Sequence, residues 1–96
     1  MLEKAYIIHN PIDNVGIAIK DINAGQDVSC ASMASRGEQI RIKDSIPFGH
    51  KFALRPIASG DKIMRYGECI GIATFSIETG EHVHIHNVKS ARCHKD

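Results

Sequence analysis

Ile22-Asn23-Ala24-Gly25-Gln26-Asp27-Val28 is the stretch whose reading decides the fold. It has the form Ile-x-x-Gly-x-x-Val. Ile57-Ala58-Ser59-Gly60-Asp61-Lys62-Ile63 repeats it, and so does Ile77-Glu78-Thr79-Gly80-Glu81-His82-Val83. A looser copy is Ile46-Pro47-Phe48-Gly49-His50-Lys51-Phe52. In each copy the Ile anchors a turn in the core. The Gly permits positive φ, and the next apolar residue starts a strand. The first three copies are offset by 35 and 20 residues, which excludes a solenoid of fixed period. Four turn-into-strand units in 96 residues imply a compact, much-folded β structure.

Outward from these turns the chain reads as short strands. Ala5-Tyr6-Ile7-Ile8 is apolar and β-prone, and Asn10-Pro11 breaks it. Residues 15–19, 51–54, 62–66 and 69–73 are further strand candidates. Gln39-Ile40-Arg41-Ile42-Lys43 alternates with period two, as a half-buried strand does. The last strong run is His82-Val83-His84-Ile85-His86. No window carries a convincing helical stripe, although residues 30–35 could form one helical turn. The fold class is therefore all-β or mainly β, in a single domain over residues 1–96.

Ninety-six residues are too few for two cores. The net charge is +1, and Glu38 and Asp44 interrupt the nearest basic cluster, Arg36, Arg41 and Lys43. Nucleic acid is thus excluded as the main partner. No segment approaches the ~20 apolar residues of a membrane span. The N-terminus lacks the apolar run of a signal peptide. Cys30, Cys69 and Cys93 are odd in number, widely spaced and free of any CxxC pair. They point to reduced thiols in a cytoplasmic protein rather than to a disulfide framework or a zinc ribbon.

Four pieces of the chain, in order, resemble the altronate and galactarate dehydratase family in its N-terminal SAF-type module. They are Asp13-Asn14-Val15, Gly49-His50-Lys51-Phe52-Ala53-Leu54, Tyr66-Gly67-x-x-Ile70-Gly71-x-Ala73 and Gly80-Glu81-His82-Val83-His84-x-His86-Asn87. Residues 29–38 show no strong match. The resemblance implies a compact β-clip fold. It also implies a partner, a large catalytic dehydratase subunit, with the module standing as small subunit or N-terminal domain and inactive alone. The implied reaction is loss of water from a 2-hydroxy sugar acid. The alternatives are the small subunit of a sulfolactate sulfo-lyase, where sulfite leaves, and a non-catalytic carbohydrate-binding module. The implied cofactor is a divalent metal, Fe(2+), held mainly by the large subunit. A homo-oligomer is compatible with the small core.

Such an elimination needs a base for a weakly acidic proton and a cation for the developing enediolate. His82, His84 and His86 alternate, so a continuous strand sets them on one face, with Val83 and Ile85 on the core side. His84 and His86 are the candidate catalytic pair. They are also the candidate metal ligands, since neutral imidazole suits iron, zinc or nickel. A solvated or interface face with three polar rings is the competing reading. His50, Lys51 and Asn87 are candidate substrate contacts: Lys is a point charge suited to carboxylate, and Asn87 adjoins His86. His9 and Asp13-Asn14 read as structural residues at a strand end and a turn.

Overall fold

A computed structural model of the chain describes residues 3–31 and 39–90. These residues form nine strands and no helix: β1 (Glu3–Ile7), β2 (Val15–Ala18), β3 (Asp27–Cys30), β4 (Gln39–Arg41), β5 (Lys51–Ala53), β6 (Lys62–Arg65), β7 (Glu68–Ala73), β8 (His82–Val83) and β9 (Val88–Lys89). A six-stranded sheet runs in the order β4-β3-β1-β2-β5-β8, and a three-stranded sheet in the order β6-β7-β9. The β1–β3 pair is parallel and every other pair is antiparallel. The all-β expectation holds. Residues 32–38, most of the unmatched stretch, lie outside the described residues.

The repeated turns organise this fold. In each, the fourth residue donates its backbone N–H to the carbonyl of the first: Gln26 to Asn23, His50 to Pro47, Asp61 to Ala58 and Glu81 to Glu78. The glycine in third position has φ between 84° and 93° in all four, the left-handed value that this turn position demands. The preceding isoleucines pair across the fold. Ile22 bonds reciprocally with Ile46, and Ile57 with Ile77. All four are at most 2% exposed. The chain thus closes two similar turn pairs, one on each side of the β2–β5 ribbon.

That ribbon corrects the expectation of one undivided core. Tyr6, Ala18, Ile22, Ile46 and Phe52 belong to one buried cluster. Val15, Ala53, Ile57, Ile63, Ile77 and Val83 belong to another. Neighbouring residues of β5, Phe52 and Ala53, serve opposite clusters because side chains alternate across a strand. Each cluster is small, and one ribbon buried on both faces lets a short chain hold two. Gly16 makes this possible. A Cβ there would meet Tyr6 at 2.9 Å and Phe52 at 3.2 Å, and those two rings pack edge-to-face at 5.0 Å between centroids.

Asp13 and Asn14 are buried and tie the sheets together. The Asp13 carboxylate accepts the backbone N–H groups of Tyr66 and Gly67 at 2.9 and 2.8 Å. Both of those residues have positive φ, in the tight turn between β6 and β7. The Asn14 amide donates to Lys62 O and accepts from Met64 N, each at 2.8 Å. Their structural role is as expected, though the partners lie across the fold rather than in a local turn.

Two further expectations change. The run from His82 to His86 is not a continuous strand: β8 stops at Val83, and His84–Asn87 is a turn closed by Asn87 N–H to His84 O at 3.1 Å. Val83 is fully buried, whereas Ile85 is 85% exposed. The turn rotates Ile85 out of the face that strand spacing assigned to it. The thiols also differ. Cys30 is buried, whereas Cys69 is disulfide-bonded, so the reduced-thiol expectation fails there. Cys93 lies outside the described residues. No helix among the described residues is long and apolar enough to cross a membrane.

Candidate functional site

The β5–β8 pairing builds the site. Lys51 stands opposite Val83, and Phe52 opposite His82. His50, just before β5, therefore comes beside the histidine run. Its Nδ1 lies 2.9 Å from His82 Nε2, a ring-to-ring hydrogen bond in which one imidazole donates and the other accepts. The His84 ring stacks on His50 at 4.7 Å and on His82 at 5.3 Å between centroids. Each of the three offers a ring nitrogen within 4.8 Å of the others.

The turn chemistry explains why His50 is free to do this. In three of the four turns the side chain of the fourth residue bonds back to the N–H of the first. Gln26 accepts from Asn23, Asp61 from Ala58 and Glu81 from Glu78. The fourth turn begins at Pro47, which has no N–H to give. A histidine there has nothing to accept in its own turn, and its ring is directed to His82 instead.

Of the expected residues, His84 and His50 are brought together, with His82 between them. His86 is exposed, its ring 5.5 Å from His82, and it does not join the three converging nitrogens. Asn87 is buried. Its side-chain oxygen accepts His84 N–H at 3.0 Å, and its amide donates to His82 O at 2.7 Å. That engagement makes it a strut of the His84 turn. Asp44 holds the other side by accepting His82 N–H at 2.9 Å.

The electrostatics favour the neutral form of His82 and His84. Burial first, then the neighbouring His50, His84 and His86, push the His82 pKa down, with Asp44 opposing. Burial, followed by His50, Lys51 and His86, likewise pushes His84 down. Neutral imidazole is the form that accepts a proton or binds a metal. Lys51 is half-buried, and burial with the charge of Arg65 pushes its pKa down. Beside it lies a shallow cavity of about 230 Å³, lined by Lys51, Ile70, Val83, His84, Ile85, Val88 and Ser90. Among the described residues, none of these histidines and neither cation forms an ion pair.

Sequence reasoning missed Arg65 and Asp44, and placed His82 outside the site. Arg65 lies over the Tyr66 ring at 4.7 Å, and its buried Nε has no hydrogen-bond partner among the described residues. A bulge between Ile63 and Met64 breaks the period-two rule there, so spacing could not reveal it. His82 could have been found from the turn register, which pairs β8 with β5 directly after His50. His9 stacks on Tyr66 at 4.0 Å, outside the trio.

Comparison with known proteins identifies the family. The chain is 39% identical to the (2R)-sulfolactate sulfo-lyase subunit alpha of Chromohalobacter salexigens, over 91% of this chain and 95% of that subunit. It is 40% identical to altronate dehydratase of Bacillus subtilis and 36% identical to that of Escherichia coli, over 91% and 88% of this chain. It spans only 16% of the length of each dehydratase. A family model described as the altronate/galactarate dehydratase SAF domain matches residues 4–91. The chain belongs to the SAF-domain family of the altronate/galactarate dehydratases.

Proposed function

We propose that this chain is the small subunit or N-terminal module of a cytoplasmic sugar-acid dehydratase, which removes water from a 2-hydroxy acid of the altronate or galactarate kind together with a large catalytic subunit. The observation that carries the reading is the cationic and imidazole face made by His50, Lys51, His82 and His84, which forms no ion pair among the described residues. A face with imidazole bases and a cation lacking an acidic partner suits an anionic substrate that must lose a proton. Lys51 holds the substrate carboxylate from the edge of the apolar cavity. His84 is the proton-transfer group nearest it, His86 is the second, and His82 orients His50. A divalent ion, iron by family resemblance and held mainly by the large subunit, supplies charge stabilisation for the enediolate.

A second reading, the small subunit of a sulfo-lyase that expels sulfite, is favoured by the match over 95% of such a subunit. The test is reconstitution with the large subunit and assay on altronate, galactarate and sulfolactate. The chain alone is expected to turn over none of them. In the assembly, His84→Ala is expected to lower kcat/KM by ~10²–10⁴-fold, the range of a lost acid or base. Lys51→Ala is expected to raise KM most. Turnover by the lone chain, or full activity in all these variants, would defeat the proposal; the preferred acid decides between water and sulfite.

A further inference from the structure

We infer that His50, His82 and His84 form a transition-metal site within this chain, with one coordination position left open to solvent. Three ring nitrogens already lie within 4.8 Å of one another, and the closest pair, at 2.9 Å, is at a separation that two ligands of one ion adopt. With metal–nitrogen bonds of about 2.0–2.1 Å, neighbouring ligands stand roughly 2.9–3.4 Å apart. The His84 nitrogen, within 4.8 Å of the other two, completes the set by closing on that pair. His82 lies in β8, and His50 and His84 adjoin the ends of β5 and β8, two strands fixed by their pairing. Their backbone is braced by Asp44 on one side and Asn87 on the other, and supporting bonds of this kind hold a ligand set in shape.

The donor set selects the ion. Three imidazoles without carboxylate or thiolate favour zinc and its neighbours cobalt, nickel and copper over magnesium or calcium. Three protein ligands also leave the fourth position of a tetrahedral ion for water or a substrate oxygen. His86, exposed and near His82, stands outside the set and could not be needed for binding. The inference goes beyond the lyase reading and does not depend on it, because the chain must bind the ion without any large subunit.

The test uses the full chain after chelator treatment. It is titrated with zinc chloride by calorimetry, and with cobalt chloride by visible absorption. One ion per chain is expected, with the intense visible bands of four-coordinate cobalt. His50→Gln and His84→Gln, both in turns, are each expected to weaken binding by more than about 100-fold, beyond the 10–100-fold typical of outer partners. His86→Gln and His9→Gln are expected to leave it unchanged. Far-ultraviolet circular dichroism of each variant verifies folding, and His50→Gln and His84→Gln decide the matter if His82→Gln fails to fold. Absence of stoichiometric binding, binding that survives His50→Gln and His84→Gln, or an equal loss in His86→Gln would overturn the site. With the ion bound, His84 serves as a ligand and the proton-transfer role falls to His86; binding is read on the lone chain and turnover on the assembled enzyme, so the two proposals fail separately.

Discussion

Gly80 packs so closely on Arg41 that a Cβ added to it would stand 2.0 Å from the Arg41 carbonyl oxygen. Its φ is +86°, and its own carbonyl accepts Lys43 N–H at 2.9 Å. Gly60 has nearly the same φ, +93°, but nothing lies within 4 Å of its added Cβ. Gly60→Ala is therefore expected to cost only the left-handed backbone penalty, about 1–2 kcal/mol. Gly80→Ala adds a backbone clash and is expected to exceed about 4 kcal/mol, the exceptional range for point changes. Urea unfolding followed by circular dichroism compares the two. Equal losses would show that the contact at Gly80 relaxes freely.

The buried Asp13 carboxylate is expected to be the strongest polar tie between the sheets. Asp13→Ala removes two charge-assisted bonds and leaves the Tyr66 and Gly67 N–H groups without acceptors. Bonds to charged groups contribute about 1.5–3 kcal/mol each, so a loss of roughly 3 kcal/mol or more is expected. Amide exchange at Tyr66 and Gly67 should accelerate with it. Unchanged exchange at those two amides would refute the assignment.

For Asn87 the expected signature is a split between position and chemistry. Asn87→Ala frees the backbone of His82 and His84 and is expected to cost about 1–3 kcal/mol. Activity of the assembled enzyme should fall less than in His84→Ala, with kcat more affected than KM. A KM effect alone would make Asn87 a substrate contact after all.

The acid limb of the stability curve should carry a small contribution from Asp27. Its hydrogen bond to Arg41, aided by the guanidinium charge, lowers its pKa in the folded chain. The unfolded chain then binds the proton more readily. Stability from this pair is present above the ordinary carboxylate pKa of about 3.9 and is lost as pH falls below it. The pair is exposed to solvent, so the effect should be slight and weakened by salt. Arg41→Met is expected to flatten the limb between about pH 4 and pH 2. A limb of unchanged slope would assign the acid sensitivity elsewhere.

The repeated Ile-x-x-Gly turns made the fold class legible, because Gly25, Gly49, Gly60 and Gly80 each punctuate the chain before an apolar strand. Strand positions with buried alternation, such as Val28 and Ile40, followed the same rule. What was not legible depends on three dimensions. The strand rule placed Ile85 beside Val83, but a turn intervened, and a turn of this kind has no apolar signature. Sequence spacing likewise favoured His84 with His86. The convergence of His50 with His82 required the β5–β8 pairing, which joins residues 32 apart in the chain. Arg65 escaped for a related reason, since a single bulge shifts which side a strand residue faces.

The strand that carries His82 is only two residues long and joins its sheet at an edge, beside β5. The interior of that sheet already contains the parallel β1–β3 pair, a long-range contact whose closure entropy slows folding. β8 docks on β5 alone, so the histidine cluster is expected to form late in folding. Refolding followed through bound cobalt should accordingly lag behind the gain of β circular dichroism. The imidazole cluster would thus report a late event in the assembly of the domain.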